Sequence, residues 1–469
     1  MSRRHSLLRP FRFQTREALS AVSSHPRRAA VIAGVGLLLI WLVLTKSLAF
    51  ALAEDSPEVA LWLNSKLPRA LLTLANRERD KLIAIHASTA APAPTGASPE
   101  ETAAARELSF MAANQADSEE RRALRAVIRA QVGRAIANSP LSARAFRLLA
   151  EVSDEPAQVR LLMQEAVKRS RRESPAIFWL MDDSFARKDF ADTVAKADAI
   201  LRTRPKLAPY VMKYLGQVAK TPEGRQLLVS LLAGRPTWRA TFFNALPKHV
   251  EDENTPLELM VALEDAGSAP SEQELAPYLS ALVSNQHIEL AYNAWLQLVP
   301  HEKLASLSFL NNAHFAEDPS GLPFDWTIKR GLNTMVDFAS FRDRDGERAL
   351  RFNFGVGRAK FPEISQILLL AAGPYRLEGT FQGVLATKRG LRWEFGCMDG
   401  KTPLAETEML YGSPQSWQSF TLDIEIPDRE DCRVQRLRLY HHARSPSEEL
   451  ISGEILFRGI RLTRNKPSG

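Results

Sequence analysis

The chain has 469 residues, 45% apolar and 25% charged. That length exceeds one ordinary core, and that composition excludes a disordered chain. The formal charge is +7, but Arg3, Arg4, Arg9, Arg12, Arg16, Arg27 and Arg28 against Glu17 put +6 of it in residues 1–28. The rest is nearly neutral, so the basic balance belongs to the tail and no nucleic-acid partner is expected.

Residues 29–44 (AAVIAGVGLLLIWLVL) form sixteen positions without a charge; Lys46 interrupts, and SLAFALA continues to Ala53. As helix these stretches span about 24 Å and about 37 Å, against a bilayer core of about 30 Å. Residues 29–53 are therefore read as one transmembrane helix, a signal anchor, with the Lys46 ammonium reaching the interface. The flanking arginines put the tail, residues 1–28, in the cytoplasm. The bulk then lies in the periplasm of a bacterial inner membrane. Ala51-Leu52-Ala53 also has the small-x-small form of a cleavage site, which leaves removal after Ala53 as the alternative.

Residues 54–310 are rich in Ala, Leu, Arg and Glu, with a loose Pro/Ala/Ser loop near 87–100. Leu141, Ala145, Leu148, Leu149 and Val152 fall on one helical face, as do Val159, Leu162, Met163, Ala166 and Val167. Such short helices must bury their stripes against neighbours. Ser139-Pro140 and Ser174-Pro175 are 35 residues apart and Pro209 follows 34 later, a period of stacked helical hairpins. Residues 177–205 resemble the tetratricopeptide repeat: Lys188-Asp189-Phe190 stands where Gly-Asp-Tyr opens the second helix, and Pro205 closes the unit. Lys188 replaces the family's Gly, and Thr193 its Ala. Residues 288–299 (IELAYNAWLQLV) predict one more helix with Leu290, Ala294, Trp295 and Leu298 inward, and Trp179, Trp238 and Trp295 are assigned to the core. The helical region is expected either to dock a protein partner on a concave face or to act as a spacer.

From residue 311 to 469 the pattern alternates. Leu350, Phe352, Phe354 and Val356 share one face, as do Leu391, Trp393, Phe395 and Cys397, and Phe420, Leu422, Ile424 and Ile426. Tyr375, Leu377 and Phe381 do the same. Each is a half-buried antiparallel strand. In the last strand Ile455 and Phe457 are out of phase with Ile460 and Leu462, which predicts a β-bulge near Arg458-Gly459. About seven or eight strands over this length make a β-sandwich. The expected fold class is thus multidomain: one transmembrane helix, an all-α helical-hairpin solenoid, then an all-β sandwich.

The opening NNAHF of residues 311–315, the PFDW of 323–326, the YRLEG of 375–379 and the GEILFRGIRL of 453–462 resemble the galactose-binding-like jelly rolls of carbohydrate-binding modules. The whole layout is similar to membrane-anchored repeat proteins found with bacterial exopolysaccharide or O-antigen machinery. That resemblance implies an accessory role in polysaccharide synthesis or export, with possible polysaccharide contact on the sandwich. Many modules of the family carry acidic residues after the last-strand aromatic and hold a structural Ca²⁺. Here Arg458 and Gly459 follow Phe457, which removes that support for a calcium site.

The only two cysteines are Cys397 and Cys432. Both fall near strand ends in a translocated, oxidising compartment, so a disulfide is expected, with two buried free thiols as the alternative. Neither has the neighbours of a zinc site, and His441 and His442 point to opposite sheet faces, so no metal and no cofactor are expected. The chain has no Gly-rich phosphate loop, HExxH or GxSxG. Binding without catalysis is the expectation. A carbohydrate-active enzyme or a purely structural tether are the alternatives. The candidate glycan-binding groups are Arg351, Asn353, Arg376, Glu378, Arg392 and Glu394, which would form one surface if their strands share a sheet, with Trp326 or Trp417 as the aromatic platform. The bland reading is a solvated face stapled by cross-strand ion pairs.

Overall fold

The computed structural model describes residues 26–87, 119–300, 304, 307–340, 348–355, 359–398, 400, 402–413, 416–445 and 447–465. The basic tail before residue 26, residues 88–100 of the loop expected near 87–100, and Val356 lie outside the described residues. The chain divides into two compact units, residues 1–207 and 208–469, so the second unit holds helices as well as the sandwich.

In the first unit, α1 (Pro26–Leu52) holds the apolar run. Among the described residues, its segment Ala30–Leu52 is the one helix long and apolar enough to cross a membrane, a length and composition that fit an anchor or a signal sequence. Most of its described side chains are open to the surroundings, Leu37 at 68% and Trp41 at 61%. Next come α2 (Pro57–Leu63), α3 (Pro68–Ala87) and α4 (Glu119–Asn138). Leu71, Ala75 and Leu82 of α3 meet Ile128, Val132 and Ala135 of α4 because the i, i+4, i+7 spacing puts each set on one stripe. The hairpins α5 (Ala143–Glu151) with α6 (Pro156–Arg169) and α7 (Ser174–Ala186) with α8 (Phe190–Thr203) follow.

Ala145, Leu148 and Val152 are buried as their spacing predicts, but Leu141 precedes α5 and is 81% exposed. In the α7–α8 turn Lys188 takes φ +60°, the left-handed conformation in which Gly costs least. Asp189 caps α8 by accepting from the Asp192 amide at 3.1 Å. Thr193 is fully buried, and its hydroxyl donates to the Asp189 carbonyl at 2.8 Å and lies 3.1 Å from the Ser184 hydroxyl. That bonding is how a hydroxyl is tolerated at this small-residue position. Glu151 accepts from Arg79 at 2.5 Å and also from Arg147, whose Nε reaches Glu173 at 2.6 Å.

The second unit begins with α9 (Ala208–Ala219), α10 (Pro222–Leu232), α11 (Arg239–His249), α12 (Asn254–Asp265), α13 (Glu272–Ser284) and α14 (Ile288–Leu298). Ser271 and Glu274 close a reciprocal capping box on α13. Arg239 ties α11 to that cap, 2.9 Å from Glu274 and 2.7 Å from the Ser268 hydroxyl. On α14, Ala294 and Trp295 are buried as expected, Leu290 and Leu298 only partly. Tyr292 and Trp295 pack on Phe324, at 5.1 and 5.6 Å between ring centroids, joining the helices to the chain entering the sandwich.

The strands are β1 (Thr327–Ile328), β2 (Thr334–Ser340), β3 (Arg348–Phe354), β4 (Ile364–Leu368), β5 (Gly373–Thr387), β6 (Leu391–Cys397), β7 (Ala405–Glu406), β8 (Gln418–Ile426), β9 (Gln435–His441) and β10 (Ile451–Arg464). They form two antiparallel sheets, ordered β1-β4-β9-β6-β7 and β2-β3-β10-β5-β8. The inward positions of both, including Phe352, Leu377, Trp393, Phe395, Leu437, Leu439 and Phe457, make one core. On β10 Arg458 faces Thr380 and Arg461 faces Glu378, so one extra residue is inserted there, with Gly459 at φ +60°. This is the bulge that the phase change predicted. Cys397 and Cys432 are disulfide-bonded, tying the end of β6 to the turn ahead of β9.

Candidate functional site

The two sheets divide the expected polar surface. Arg351 and Asn353 on β3 and Arg376 and Glu378 on β5 belong to one sheet; Arg392 and Glu394 on β6 belong to the other. Alternation along a strand assigns each residue to a face but says nothing of which sheet receives the strand, so the six do not form one surface. Their ion pairs follow the sheets. Arg351 grips Asp337 at 2.8 and 2.6 Å, Arg376 grips Asp423 at 2.7 and 3.2 Å, and Asn353 reaches Glu454 at 3.4 Å. Glu378 lies 3.8 Å from Arg461. On this sheet the bland reading of cross-strand stapling describes the geometry.

Neither expected aromatic platform is open. Trp326 is 1% exposed, sandwiched by Phe315 and Trp393, and its indole donates to the Asn312 carbonyl at 3.0 Å. A tryptophan flanked by Phe324 and Asp325 read as a surface residue, and it is core instead. Trp417 is half-buried, with the Arg458 guanidinium 3.9 Å over its ring.

The other sheet carries a different arrangement on its outward side. On β6 the outward positions are Arg392, Glu394 and Gly396; on β9 they are Arg436, Arg438 and Tyr440. The register sets Arg392 opposite Tyr440, Glu394 opposite Arg438 and Gly396 opposite Arg436. Arg438 donates to Glu394 through two bonds, at 2.5 and 2.8 Å, and also lies 3.5 Å from Glu363. Arg392 donates to Glu406 of β7 at 2.9 Å, and the Tyr440 hydroxyl donates to the other oxygen of Glu406 at 3.1 Å. His442 stands 3.1 Å from the same hydroxyl, and the Arg438 guanidinium lies 4.6 Å over the Tyr440 ring. Between these groups and the 402–403 turn is an open depression of about 270 Å³, lined by Glu394, Gly396, Glu406, Arg436, Arg438 and Tyr440 among others.

The electrostatics are set by this crowding. The hydrogen bond to Glu394 raises the Arg438 pKa against the opposing effect of burial. Burial, then the charges of Glu394 and Glu406, push the Tyr440 phenol far above its ordinary range, so its proton is retained for donation. Burial works against ionisation of Glu363, but Lys329, Arg438 and Arg436 outweigh it and hold its carboxyl below the usual range.

Arg436, Arg438, Tyr440 and Glu406 were not singled out from sequence. The first three alternate with Leu437 and Leu439 along β9, a signal present in the sequence. Glu406 sits in a strand of two residues, too short to read from pattern.

No family model matches the chain, and no curated protein matches it. Among solved structures it is similar to a CBM4 carbohydrate-binding module, with 17% identity over 33% of this chain and 99% of that one, TM-score 0.25. It is similar to a putative sugar binding protein from Bacteroides thetaiotaomicron, with 9% identity over 34% of this chain and 100% of that one, TM-score 0.25. A CBM61 domain in complex with β-1,4-galactotriose is 16% identical over 34% of this chain and 99% of its own, TM-score 0.22. At those scores the assignment of a β-sandwich rests on the chain's own strands and register.

Proposed function

We propose that this chain is a membrane-anchored protein that binds glycan without catalysis, through the outward side of the β1-β4-β9-β6-β7 sheet. The observation that carries the reading is the row of planar groups from Arg392, Glu394, Arg438 and Tyr440 beside an open depression. Sugars are recognised by such fixed donors and acceptors in shallow clefts. In this reading residues 311–469 act as a jelly-roll carbohydrate-binding module. The helical hairpins act as a tetratricopeptide-like solenoid that docks a protein partner, and the role is accessory to polysaccharide synthesis or export. The α1 segment anchors the chain in a bacterial inner membrane, with the arginine-rich tail cytoplasmic and the bulk periplasmic.

Affinity electrophoresis of the full chain in detergent, through gels containing neutral or acidic bacterial and plant polysaccharides, tests it. Retardation by at least one polymer, without release of reducing ends, is the expected result. Passage through every gel unretarded, or turnover of a polymer, contradicts it.

A further inference from the structure

On the reading that this sheet side binds glycan, we propose that its ligand is an acidic polysaccharide and that Arg436 receives the sugar's carboxylate over Gly396. The register supplies the argument. Each outward residue of β9 has a cross-strand neighbour on β6, and two of the three neighbours carry a side chain: Glu394, which bonds Arg438, and Arg392, which shares Glu406 with Tyr440. The third is Gly396, which has none. On its other flank Arg436 faces Ile367 of β4, an apolar residue. Arg436 is half-exposed and, among the described residues, makes no ion pair; its charge is felt at Glu363 only over distance.

A Cβ on Gly396 would find the Pro403 Cα at 3.5 Å, an ordinary contact, so the backbone there does not require glycine for want of room. Gly396 has no left-handed φ either. With glycine here β6 sets no side chain beside Arg436, and the backbone of the 402–404 turn borders the depression on that side. The carboxylates bordering it are already answered, Glu394 by Arg438 and Glu406 by Arg392, so an incoming anion meets one unanswered guanidinium. A planar carboxylate fits that fork through two parallel bonds. A neutral sugar's hydroxyls can accept from the guanidinium but bring it no opposite charge.

The test is affinity electrophoresis of the full chain in detergent against polygalacturonate and alginate, each beside its own carboxyl-reduced polymer. The expected result is at least about tenfold tighter retention by an acidic polymer than by its reduced form, the worth of one charge-assisted pair. Arg436→Gln should remove that preference, bringing the acidic polymer's retention down to that of its reduced form. Gly396→Glu should also remove the preference, by giving Arg436 an internal partner as Glu394 does for Arg438. Thermal melting confirms that both variants fold. Equal retention of both forms overturns the inference and leaves the sheet side as a glycan site. So does a preference that persists in both variants, which would place it elsewhere, for instance on the arginine-rich tail. Retention by neutral polymers alone also overturns it. Retention by no polymer overturns the reading on which it rests.

Discussion

Arg438 and Glu394 meet across the β9–β6 pair through two hydrogen bonds, while one step along the same register Arg436 meets Gly396 and no side chain. The first pair is largely withdrawn from water, with side-chain exposures of 26% and 11%. The pair Arg376–Asp423 on the other sheet is exposed, at 47% and 65%. A double-mutant cycle measured by urea unfolding should therefore give about 1–3 kcal/mol of coupling for Arg438 with Glu394. The exposed pair should give below about 1 kcal/mol. Equal couplings would mean that the face is held by something other than these bonds.

The disulfide closes a sequence separation of 35 residues. Cys397→Ala with Cys432→Ala should lower the unfolding free energy of the second unit by about 2–5 kcal/mol, and reductant should lower the wild type similarly. Unfolding curves with and without dithiothreitol check this. An unchanged midpoint in reductant would remove the bond from the account.

In the first unit Glu151 answers two arginines, Arg79 and Arg147, that are 6% and 5% exposed. Glu151→Ala takes a shared carboxylate from both, leaving Arg147 with Glu173 at 2.6 Å and Arg79 with Asp80 at 3.7 Å, and should cost about 2–4 kcal/mol. Arg202→Ala, which removes the exposed i, i+4 partner of Asp198, should cost below about 0.5 kcal/mol. Circular dichroism melts of the two variants distinguish the sites. Similar losses would show that the buried network is no stiffer than surface charge.

His441 sits at the end of β9 with its Nε2 donating to the Arg389 carbonyl at 2.8 Å. Burial lowers its pKa below the ordinary histidine value, and the Arg389 hydrogen bond and the Glu448 and Glu449 charges offset only part of that. A base whose folded pKa is depressed takes up its proton first in the unfolded chain. Its contribution is therefore complete at neutral pH and is lost as pH falls below about 6.5 towards the folded value. Unfolding midpoints at pH 7.5 and pH 5.0 should differ less for His441→Asn than for the wild type. An identical pH dependence would contradict the assignment.

Much of this was legible in the sequence, and the limits have physical causes. The strands β3, β5, β6 and β8 are half-buried, so a period of two exposes them, and the phase slip between Phe457 and Ile460 locates the bulge that Gly459 makes. The cysteines fall near strand ends and pair. Period alone does not say which strand pairs with which, because pairing is non-local. For that reason Arg376 and Arg392, alike in pattern, stand on different sheets. Trp326 is misjudged because burial of its ring depends on Phe315 and Trp393, which lie far from it in one case and just before it in the other. Arg436 becomes informative only with the register, since nothing near it in sequence reveals that its neighbour is a glycine.

Glycan is proposed to bind the outward side of the β1-β4-β9-β6-β7 sheet and not that of the β2-β3-β10-β5-β8 sheet. Affinity electrophoresis of the full chain should show that Arg392→Ala with Tyr440→Ala abolishes retardation by the bound polysaccharide. Arg351→Ala with Arg376→Ala, on the opposite sheet, should leave it unchanged. Loss of binding on the opposite sheet with retention in the first pair would contradict the account, as would a wild-type chain that no polysaccharide retards.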